Sequence, residues 1–238
     1  MSSQLLALET ARIANFAQDL REKSRVQIPG LLTPAYADRL LAAAREVDYS
    51  VVTTRESGHL DLPSTWLASL DPSQRKGLGQ TIQASATARF QYLFDNHPIY
   101  DLVQAGQAAP VWRDLVAFLN GEAFLGLMRR LTGEPRIAMA DAQLTRFRPG
   151  HFLTRHDDHA DGKNRYFAYV LNLSPVWMAD WGGLLAFHGE EGNVDAAFTP
   201  RFNALNLLRT PQPHSVTQVA LFAGGDRISV TGWLRGAG

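Results

Sequence analysis

Seven short segments of β-type sequence follow one another after residue 136, and no helical segment lies between them. The segments are residues 137–147, 151–158, 166–173, 183–189, 202–209, 215–221 and 226–234. Each is rich in β-branched and aromatic residues or alternates between apolar and polar positions, and turn residues interrupt the pattern about every ten residues. Parallel strands need long crossover connections, usually helices, which this region lacks. The pattern therefore predicts antiparallel pairing in a barrel, a sandwich or a jelly roll.

The preceding part of the chain favours helices, because apolar residues recur there at spacings of three and four. Thr33-Pro34 and Asp71-Pro72 each combine an N-cap residue with a proline at the first helical position, and the second pair predicts a helix over 73–94. Two further short helices are predicted over 112–119 and 122–131. This part of the chain is therefore expected to pack as a helical layer.

The junction near residue 136 is too short and too apolar for a flexible linker. We therefore expect one α+β domain over residues 1–238. In that domain, 1–135 form a mainly helical buttress and 136–238 form the jelly-roll core, with the helices packed on its outer sheet. Residues 48–70 have a mixed composition that predicts strand and loop.

Composition narrows the function classes. The chain has no cysteine, which excludes disulfides, thiolate nucleophiles and cysteine-bound metals. Its 23 Lys and Arg residues balance 23 Asp and Glu residues, so a strongly basic nucleic-acid surface is excluded. The sequence has neither a secretory signal nor an uncharged apolar stretch of about eighteen residues. We therefore expect a cytoplasmic protein without a nucleic-acid or membrane partner, whose metal, if any, sits on His, Asp or Glu.

The histidines are concentrated in one region, since five of the seven lie between residues 151 and 214. If 151–158 form a strand, His156 and Asp158 point to the same face and Asp157 points to the other. His214 comes directly before a later predicted strand. Two imidazoles and one carboxylate on a rigid sheet form the facial triad of non-haem Fe(II) oxygenases, so these three residues are candidate metal ligands.

Other interpretations of the histidines stay open. His and Asp two residues apart are common by chance, and His156 with His159 could instead form a zinc pair if they lay on a helix. His151 and His188 are expected to be exposed or held by structural hydrogen bonds. His59 and His97 have no partner in the sequence, and we assign them no role.

A candidate anion site lies further along the chain. In the segment 226–234, Arg227, Ser229 and Thr231 share one face of the predicted strand, opposite Ile228 and Val230. An arginine that faces the core of a small β-domain needs an anionic partner, such as a carboxylate. The alternative is a solvent-exposed edge. The position of Arg227 on the strand that follows His214 favours the inward orientation.

Taken in order, these motifs resemble the 2-oxoglutarate and Fe(II)-dependent dioxygenases, specifically the prolyl hydroxylase branch. The likeness is greatest to the ribosomal-protein prolyl hydroxylases and their bacterial relatives. It extends from about residue 25 and is strongest over 141–235. The segments that carry it are RFRPGHFLTRHDD, YFAYVLNL, WGGLLAF, FNALNLLRTPQPHSV and RISVTGWL.

The resemblance implies a double-stranded β-helix, which is a distorted jelly roll. It implies that His156, Asp158 and His214 bind Fe(II) and form the catalytic centre, and that Arg227, assisted by Ser229, holds the distal carboxylate of 2-oxoglutarate. It further implies an enzyme that uses O₂, and ascorbate as an accessory reductant, to hydroxylate a prolyl residue of a protein or peptide, such as a ribosomal or translation component. In such enzymes 2-oxoglutarate is decarboxylated to succinate.

Two alternatives to this function stay open. The same scaffold could hydroxylate a free amino acid or small metabolite, or the chain could be a cupin-like metal protein that does not use 2-oxoglutarate. A wide cleft bordered by a mobile loop, for which 48–70 is the candidate, would favour a peptide. A closed apolar pocket would favour a metabolite.

The sequence departs from the family pattern at two positions. Phe147 and Val170 stand where many relatives carry a tyrosine, and strand alternation predicts that Tyr169 faces the other side of its strand. We therefore expect fewer hydroxyl contacts to 2-oxoglutarate and somewhat weaker binding of it.

Overall fold

The computed structural model describes residues 5–55 and 58–237. Its helices are α1 (Thr10–Lys23), α2 (Pro34–Arg45), α3 (Ser64–Ser69), α4 (Pro72–Ser85), α5 (Ile99–Gln104), α6 (Pro110–Leu119) and α7 (Glu122–Thr132). The strands are β1 (Arg25–Pro29), β2 (Ser50–Arg55), β3 (Gly58–Leu62), β4 (Tyr92–His97), β5 (Met139–Ala140), β6 (Gln143–Phe147), β7 (Phe152–His156), β8 (Arg165–Asn172), β9 (Leu185–His188), β10 (Val194–Phe198), β11 (Ala204–Arg209), β12 (His214–Val216) and β13 (Arg227–Arg235). Each of the seven predicted β-segments contains a strand, and the ends of the 1–238 prediction lie outside the described residues.

The predicted helix starts are observed, but one helix is shorter than expected. Asp71 caps α4 through a reciprocal capping box with Gln74, whereas Thr33 precedes α2 without a side-chain cap. The prediction that the second helix continues to residue 94 is wrong, because α4 ends at Ser85 and β4 begins at Tyr92. The apolar residues of 90–94 satisfy either period, and pairing with neighbouring strands selects the extended form.

All thirteen strands belong to one antiparallel sheet system that folds over on itself. Its order is β1-β11-β8-β13-β6-β4-β7-β12-β9-β10, with β2 beside β4, β3 beside β2 and β5 beside β13. Strand β4 joins the two layers, because its first residues pair with β7 and its last residues pair with β6 along one edge, while β2 pairs along the other edge. The nearly closed antiparallel barrel with its helical layer is the double-stranded β-helix expected from the sequence.

The first layer consists of β1, β11, β8, β13 and β6, and the second consists of β7, β12, β9 and β10. Helices cover one face of the first layer. Leu144, Leu171 and Val230, from three neighbouring strands, are fully buried in the same cluster as Phe124 and Leu127 of α7. On the opposite face, Ala168 and Val170 of β8 pack against Leu185 and Phe187 of β9 in the second layer. The alternating sides of these strands therefore serve two environments, the helical core and the space between the layers.

Residues 48–70 form a hairpin followed by a short helix. Strands β2 and β3 pair antiparallel, and α3 follows after Pro63. Residue 57, a candidate turn residue, lies outside the described residues. Strands β1 to β4 precede residue 136 and join the same sheet system as the later strands. In the part of the chain that the structure describes, every helix is too short or too polar to cross a membrane.

Candidate metal centre

The two predicted imidazole ligands lie opposite each other on neighbouring strands. His156 ends β7, His214 begins β12, and the two residues are direct partners in the antiparallel ladder. Their ring centroids are 4.1 Å apart. Residues paired across an antiparallel ladder place their side chains on the same face, so the pairing of β7 with β12 sets the separation of the imidazoles.

Asp158 reaches the histidines through a turn of the backbone. Its carboxylate oxygens lie 3.5 Å from Nε2 of His156 and 3.5 Å from Nε2 of His214. The predicted strand over 151–158 is too long, because β7 ends at His156 and Asp158 has a φ of +63°. Aspartate tolerates this left-handed region better than most residues. Asp158 therefore lies beside both histidines, but strand alternation is not the reason for its direction.

The neighbouring Asp157 takes no part in this group. It is exposed, and its side chain accepts a hydrogen bond from the backbone N–H of His159 at 3.0 Å. That bond is an Asx-type turn contact, which stabilises the chain as it leaves β7. Of two adjacent aspartates, only the second therefore faces the histidines.

Backbone carbonyls fix the orientation of both imidazoles. Nδ1 of His156 lies 3.0 Å from the carbonyl of Thr154, and Nδ1 of His214 lies 2.8 Å from the carbonyl of Gln212. A carbonyl can only accept, so each Nδ1 carries the proton and each Nε2 presents its lone pair toward Asp158. This is the usual outer support of a metal-bound histidine. In the described ranges, the group of His and carboxylate side chains close enough to share a metal ion is His156, Asp158 and His214.

The electrostatics of the three side chains agree with a cation-binding group. Burial by itself opposes ionisation of Asp158, but the adjacent His156 and His214 outweigh it and hold the pKa of that carboxyl below its usual value. Burial lowers the pKa of His214. Burial also acts to lower the pKa of His156, but the adjacent Asp158 and the Thr154 carbonyl together outweigh burial and raise it. The ionised form of Asp158 and the neutral form of His214 are thus both favoured.

Arg227 lies deep in the same cavity and lacks an anionic partner. It is 1% exposed, and its Nε has no hydrogen-bond partner among the described residues. Burial lowers the pKa of its guanidinium to about 10, and no neighbouring carboxylate contributes. A buried cation without a counter-ion is costly, so this side chain is arranged for an anion that the chain itself does not supply. The prediction that Arg227 points inward is confirmed.

The hydroxyls on the arginine strand differ in their surroundings. Ser229 is fully buried, and its Oγ lies 3.0 Å from Oγ1 of Thr145 on β6. Thr231 lines the cavity, and its buried Oγ1 has no hydrogen-bond partner among the described residues. The assistance expected from Ser229 stays a prediction, because its hydroxyl is already engaged by a neighbouring strand.

The two departures from the family pattern both face the cavity. Phe147 is the cross-strand partner of Arg227, whose guanidinium carbon lies 5.0 Å from the phenyl centroid. Val170 is the cross-strand partner of Thr231. The tyrosine next to it, Tyr169, faces the helices, where its ring packs on Phe124 and its hydroxyl donates to the carbonyl of Asp141 at 2.7 Å. The predicted direction of Tyr169 is therefore confirmed.

The cavity has a volume of about 520 Å³ and opens at an aromatic rim that sequence reasoning missed. Phe90 is 46% exposed and packs against the ring of His156 at 5.6 Å. Next to it, the hydroxyl of Tyr92 lies 2.6 Å from Nδ1 of His59, which belongs to the β2–β3 hairpin. Sequence reasoning missed these residues because the apolar spacing around Phe90 and Tyr92 predicts a helix. A residue on a helix before the jelly-roll segments would not be expected to line the metal site.

A second group of polar side chains lines the outer part of the cavity. Arg165 stacks over the ring of Trp233 at 3.5 Å, and the Nε atom of Arg165 and the Nε1 atom of Trp233 have no hydrogen-bond partner in the described ranges. Both residues line the cavity with the metal-binding group. The cavity therefore offers unpaired donors from Arg165 and Trp233 as well as from Arg227.

The remaining histidines lie outside the metal-binding group. His159 is not on a helix and contacts the exposed Asp161 at 3.0 Å, so the zinc-pair alternative has no structural basis. His188 lies 2.8 Å from the Ser215 hydroxyl, which is a structural hydrogen bond as expected. His151 is buried, with Nδ1 4.0 Å from Asp95.

Two imidazoles and one carboxylate on a rigid sheet are the donor set of non-haem Fe(II) oxygenases. Residues 142–235 match the sequence model of the 2OG-Fe(II) oxygenase superfamily. The match includes the three candidate ligands and Arg227. This class of oxidoreductases requires Fe(II) and 2-oxoglutarate, and the donor set and the partnerless guanidinium of this chain fit both.

Prolyl hydroxylases are among the similar proteins. The chain is 35% identical over 88 residues to prolyl 3-hydroxylase OGFOD1 of Xenopus laevis, a match that covers 34% of this chain and 17% of that protein. A Pseudomonas putida prolyl-4-hydroxylase superposes with a TM-score of 0.60 at 20% identity, over 95% of this chain and all of that one. A Trichoplax adhaerens prolyl hydroxylase in complex with a hypoxia inducible factor peptide fragment gives 0.61 at 15% identity, over 97% and 94% of the two chains. These structural likenesses show the fold.

Proposed function

We propose that this chain is an Fe(II)- and 2-oxoglutarate-dependent dioxygenase that hydroxylates a prolyl residue of a protein or peptide. The observation that carries the proposal is that the metal-binding group and Arg227 line one cavity. The metal-binding group offers ligand atoms to a metal ion, and Arg227 lacks an anionic partner among the described residues. A cupin-like metal protein that does not use 2-oxoglutarate would give no role to a buried arginine that lacks an anionic partner among the described residues.

In the proposed reaction, the residues of the chain bind and orient the reactants. His156, Asp158 and His214 would hold Fe(II) through two Nε2 atoms and one carboxylate. Arg227 pairs with the distal carboxylate of 2-oxoglutarate, and Ser229 assists through the hydroxyl pair with Thr145. Bound iron supplies the oxidising chemistry that couples decarboxylation of 2-oxoglutarate to hydroxylation of a C–H bond.

The rim of the cavity supports a protein or peptide substrate. The exposed Phe90 and His59 and the buried Tyr92 form an aromatic border next to the metal-binding group. Such a border can receive a residue that protrudes from a substrate protein or peptide. Its aromatic rings can pack against the apolar ring of a prolyl residue. The 35% identity over 88 residues to a prolyl 3-hydroxylase supports the same substrate class. A ribosomal or translation component, which the sequence resemblance implies, is the first protein to test.

The direct test follows succinate formation. Purified protein is loaded with Fe(II) without oxygen, mixed with 2-oxoglutarate, ascorbate and proline-containing peptides, and then exposed to oxygen. We expect wild type and the matched control His159→Ala to form succinate, because His159 lies outside the metal-binding group. His156→Ala should form only the background amount. Equal succinate from wild type and His156→Ala would refute the oxygenase assignment.

The substrate class needs a separate measurement. Mass spectrometry of cellular proteins, with and without this enzyme, should find a prolyl residue that gains one oxygen atom only when the active enzyme is present. If succinate forms while free amino acids or small metabolites alone gain oxygen, the prolyl part of the proposal is wrong and the dioxygenase part stands.

A further inference from the structure

The hydroxyl of Thr231 is a buried polar group that lines the cavity without a hydrogen-bond partner among the described residues. Thr231 lies on β13, four residues after Arg227 and therefore on the same face of the strand. Buried polar groups in folded proteins are nearly always hydrogen-bonded, so an unpaired hydroxyl in a cavity indicates a partner from outside the chain.

The surroundings of Thr231 lack the hydroxyls that the family resemblance leads one to expect. Its cross-strand partner on β8 is Val170, one of the two positions at which relatives carry a tyrosine, and the other position is Phe147. The nearby hydroxyls are engaged within the chain. The hydroxyls of Thr145 and Ser229 bond to each other, and Tyr92 bonds to His59.

We propose that the Thr231 hydroxyl hydrogen-bonds an oxygen of 2-oxoglutarate and so takes the place of a tyrosine hydroxyl, which neither Phe147 nor Val170 can provide. The inference rests on the proposed function for the identity of the ligand. Thr231 is then a cosubstrate-binding residue.

Depth in the cavity favours the cosubstrate over the substrate as the partner. The Thr231 hydroxyl is buried on the same strand face as the fully buried Arg227, whereas the rim residue Phe90 is 46% exposed. A protruding residue of a substrate enters from the rim. A small dicarboxylate held by Arg227 would lie along the face of β13 that also carries Thr231.

The test measures binding of 2-oxoglutarate itself. Titration calorimetry on Mn²⁺-loaded protein, which binds without turnover, gives the Kd for wild type, Thr231→Val and Thr231→Ser. Removal of one hydrogen bond should raise the Kd of Thr231→Val by about five- to tenfold. Thr231→Ser keeps the hydroxyl and should stay close to wild type. Unchanged melting temperatures will show that each variant is folded.

A compensating variant makes the test specific. Because Val170 and Thr231 are cross-strand partners, Val170→Tyr in the Thr231→Val background should restore part of the affinity for 2-oxoglutarate. Equal Kd values for wild type and Thr231→Val would overturn the inference, and so would an effect seen only in peptide binding. If wild type itself does not bind 2-oxoglutarate, the proposed function fails, which is a distinct result.

Discussion

His156 and His214 are direct partners in the antiparallel ladder between β7 and β12, with imidazole centroids 4.1 Å apart. The two residues are far apart in sequence, and the ladder fixes their separation before any metal binds. A site formed on paired strands is rigid, so little reorganisation is needed on metal binding. The third ligand, Asp158, lies beyond the end of β7 and depends on a left-handed turn instead.

Replacing Asp158 tests the choice between the two adjacent aspartates. Asp158→Asn keeps the size of the side chain and tolerates the positive φ, but it removes the charge between the two histidines. We expect the affinity for Fe(II) or Mn²⁺ to fall at least about 100-fold, since loss of mere outer-shell partners already costs about 10–100-fold. Calorimetric titration of the metal measures this.

Asp157→Asn is the matched control for that variant. Its side chain accepts a hydrogen bond from the His159 N–H and is not part of the metal-binding group, and an amide oxygen can accept the same bond. Its metal affinity should remain within about twofold of wild type. A larger loss in Asp157→Asn than in Asp158→Asn would reverse the assignment of the third ligand.

Arg227→Met should increase stability while it abolishes cosubstrate binding. The guanidinium is buried without an anion, and an apolar side chain of similar length removes that cost. We expect a gain on the order of 2 kcal/mol, which raises Tm by several degrees in a chain of this size. Added 2-oxoglutarate should raise the Tm of metal-loaded wild type but not that of the variant. Thermal melts with and without 2-oxoglutarate measure both effects.

The affinity of Arg227→Met for a metal ion shows whether the loss of 2-oxoglutarate binding is specific or reflects a distorted metal site. Arg227 is not one of the three ligand residues, so Arg227→Met should bind Mn²⁺ nearly as wild type does. A variant that is destabilised, or that still gains Tm from 2-oxoglutarate, would contradict the role given to Arg227.

His151 should make the folded protein less stable in mild acid. Burial lowers its pKa to about 4, whereas the unfolded chain has a histidine pKa of about 6.5. Between these values the unfolded state binds the proton and the folded state does not, so stability falls as pH falls from about 6.5 to about 4. The contribution is a few kcal/mol at most, on the order of 3 kcal/mol.

Urea unfolding across this pH range measures the effect against a His151→Gln control. The carboxylate of Asp95 and the guanidinium of Arg148 lie beside His151 and remain in the variant, so the difference between the two proteins isolates the imidazole. The variant should have a flatter pH dependence than wild type. Parallel curves would show that protonation of His151 has no part in acid unfolding.

Tyr169→Phe tests the direction of the tyrosine that directly precedes the cavity residue Val170 in the sequence. Its hydroxyl donates to the Asp141 carbonyl on the helical side of β8, so removing it should lower the free energy of unfolding by about 1 kcal/mol. The Kd for 2-oxoglutarate should not change. A weakened Kd with unchanged stability would mean that the hydroxyl turns into the cavity.

The sequence alone determined the class of fold and most of the site. Seven strand segments without intervening helices required antiparallel pairing, and the order of His156, Asp158, His214 and Arg227 identified the class of chemistry. These signals are local, because they depend on side-chain period, turn residues and the types of metal-binding side chain. The absence of cysteine restricted the candidate ligands further.

Only the tertiary structure decided how these residues meet. Asp158 faces the histidines through a positive φ that strand alternation does not predict. The segment that begins at Tyr92 is a strand although its sequence also fits a helix, because its apolar spacing suits both periods and pairing with β2, β6 and β7 decides between them. The unpaired state of Arg227 and Thr231 is likewise a property of the folded cavity, because a hydrogen-bond partner is known only when distant strands are in place.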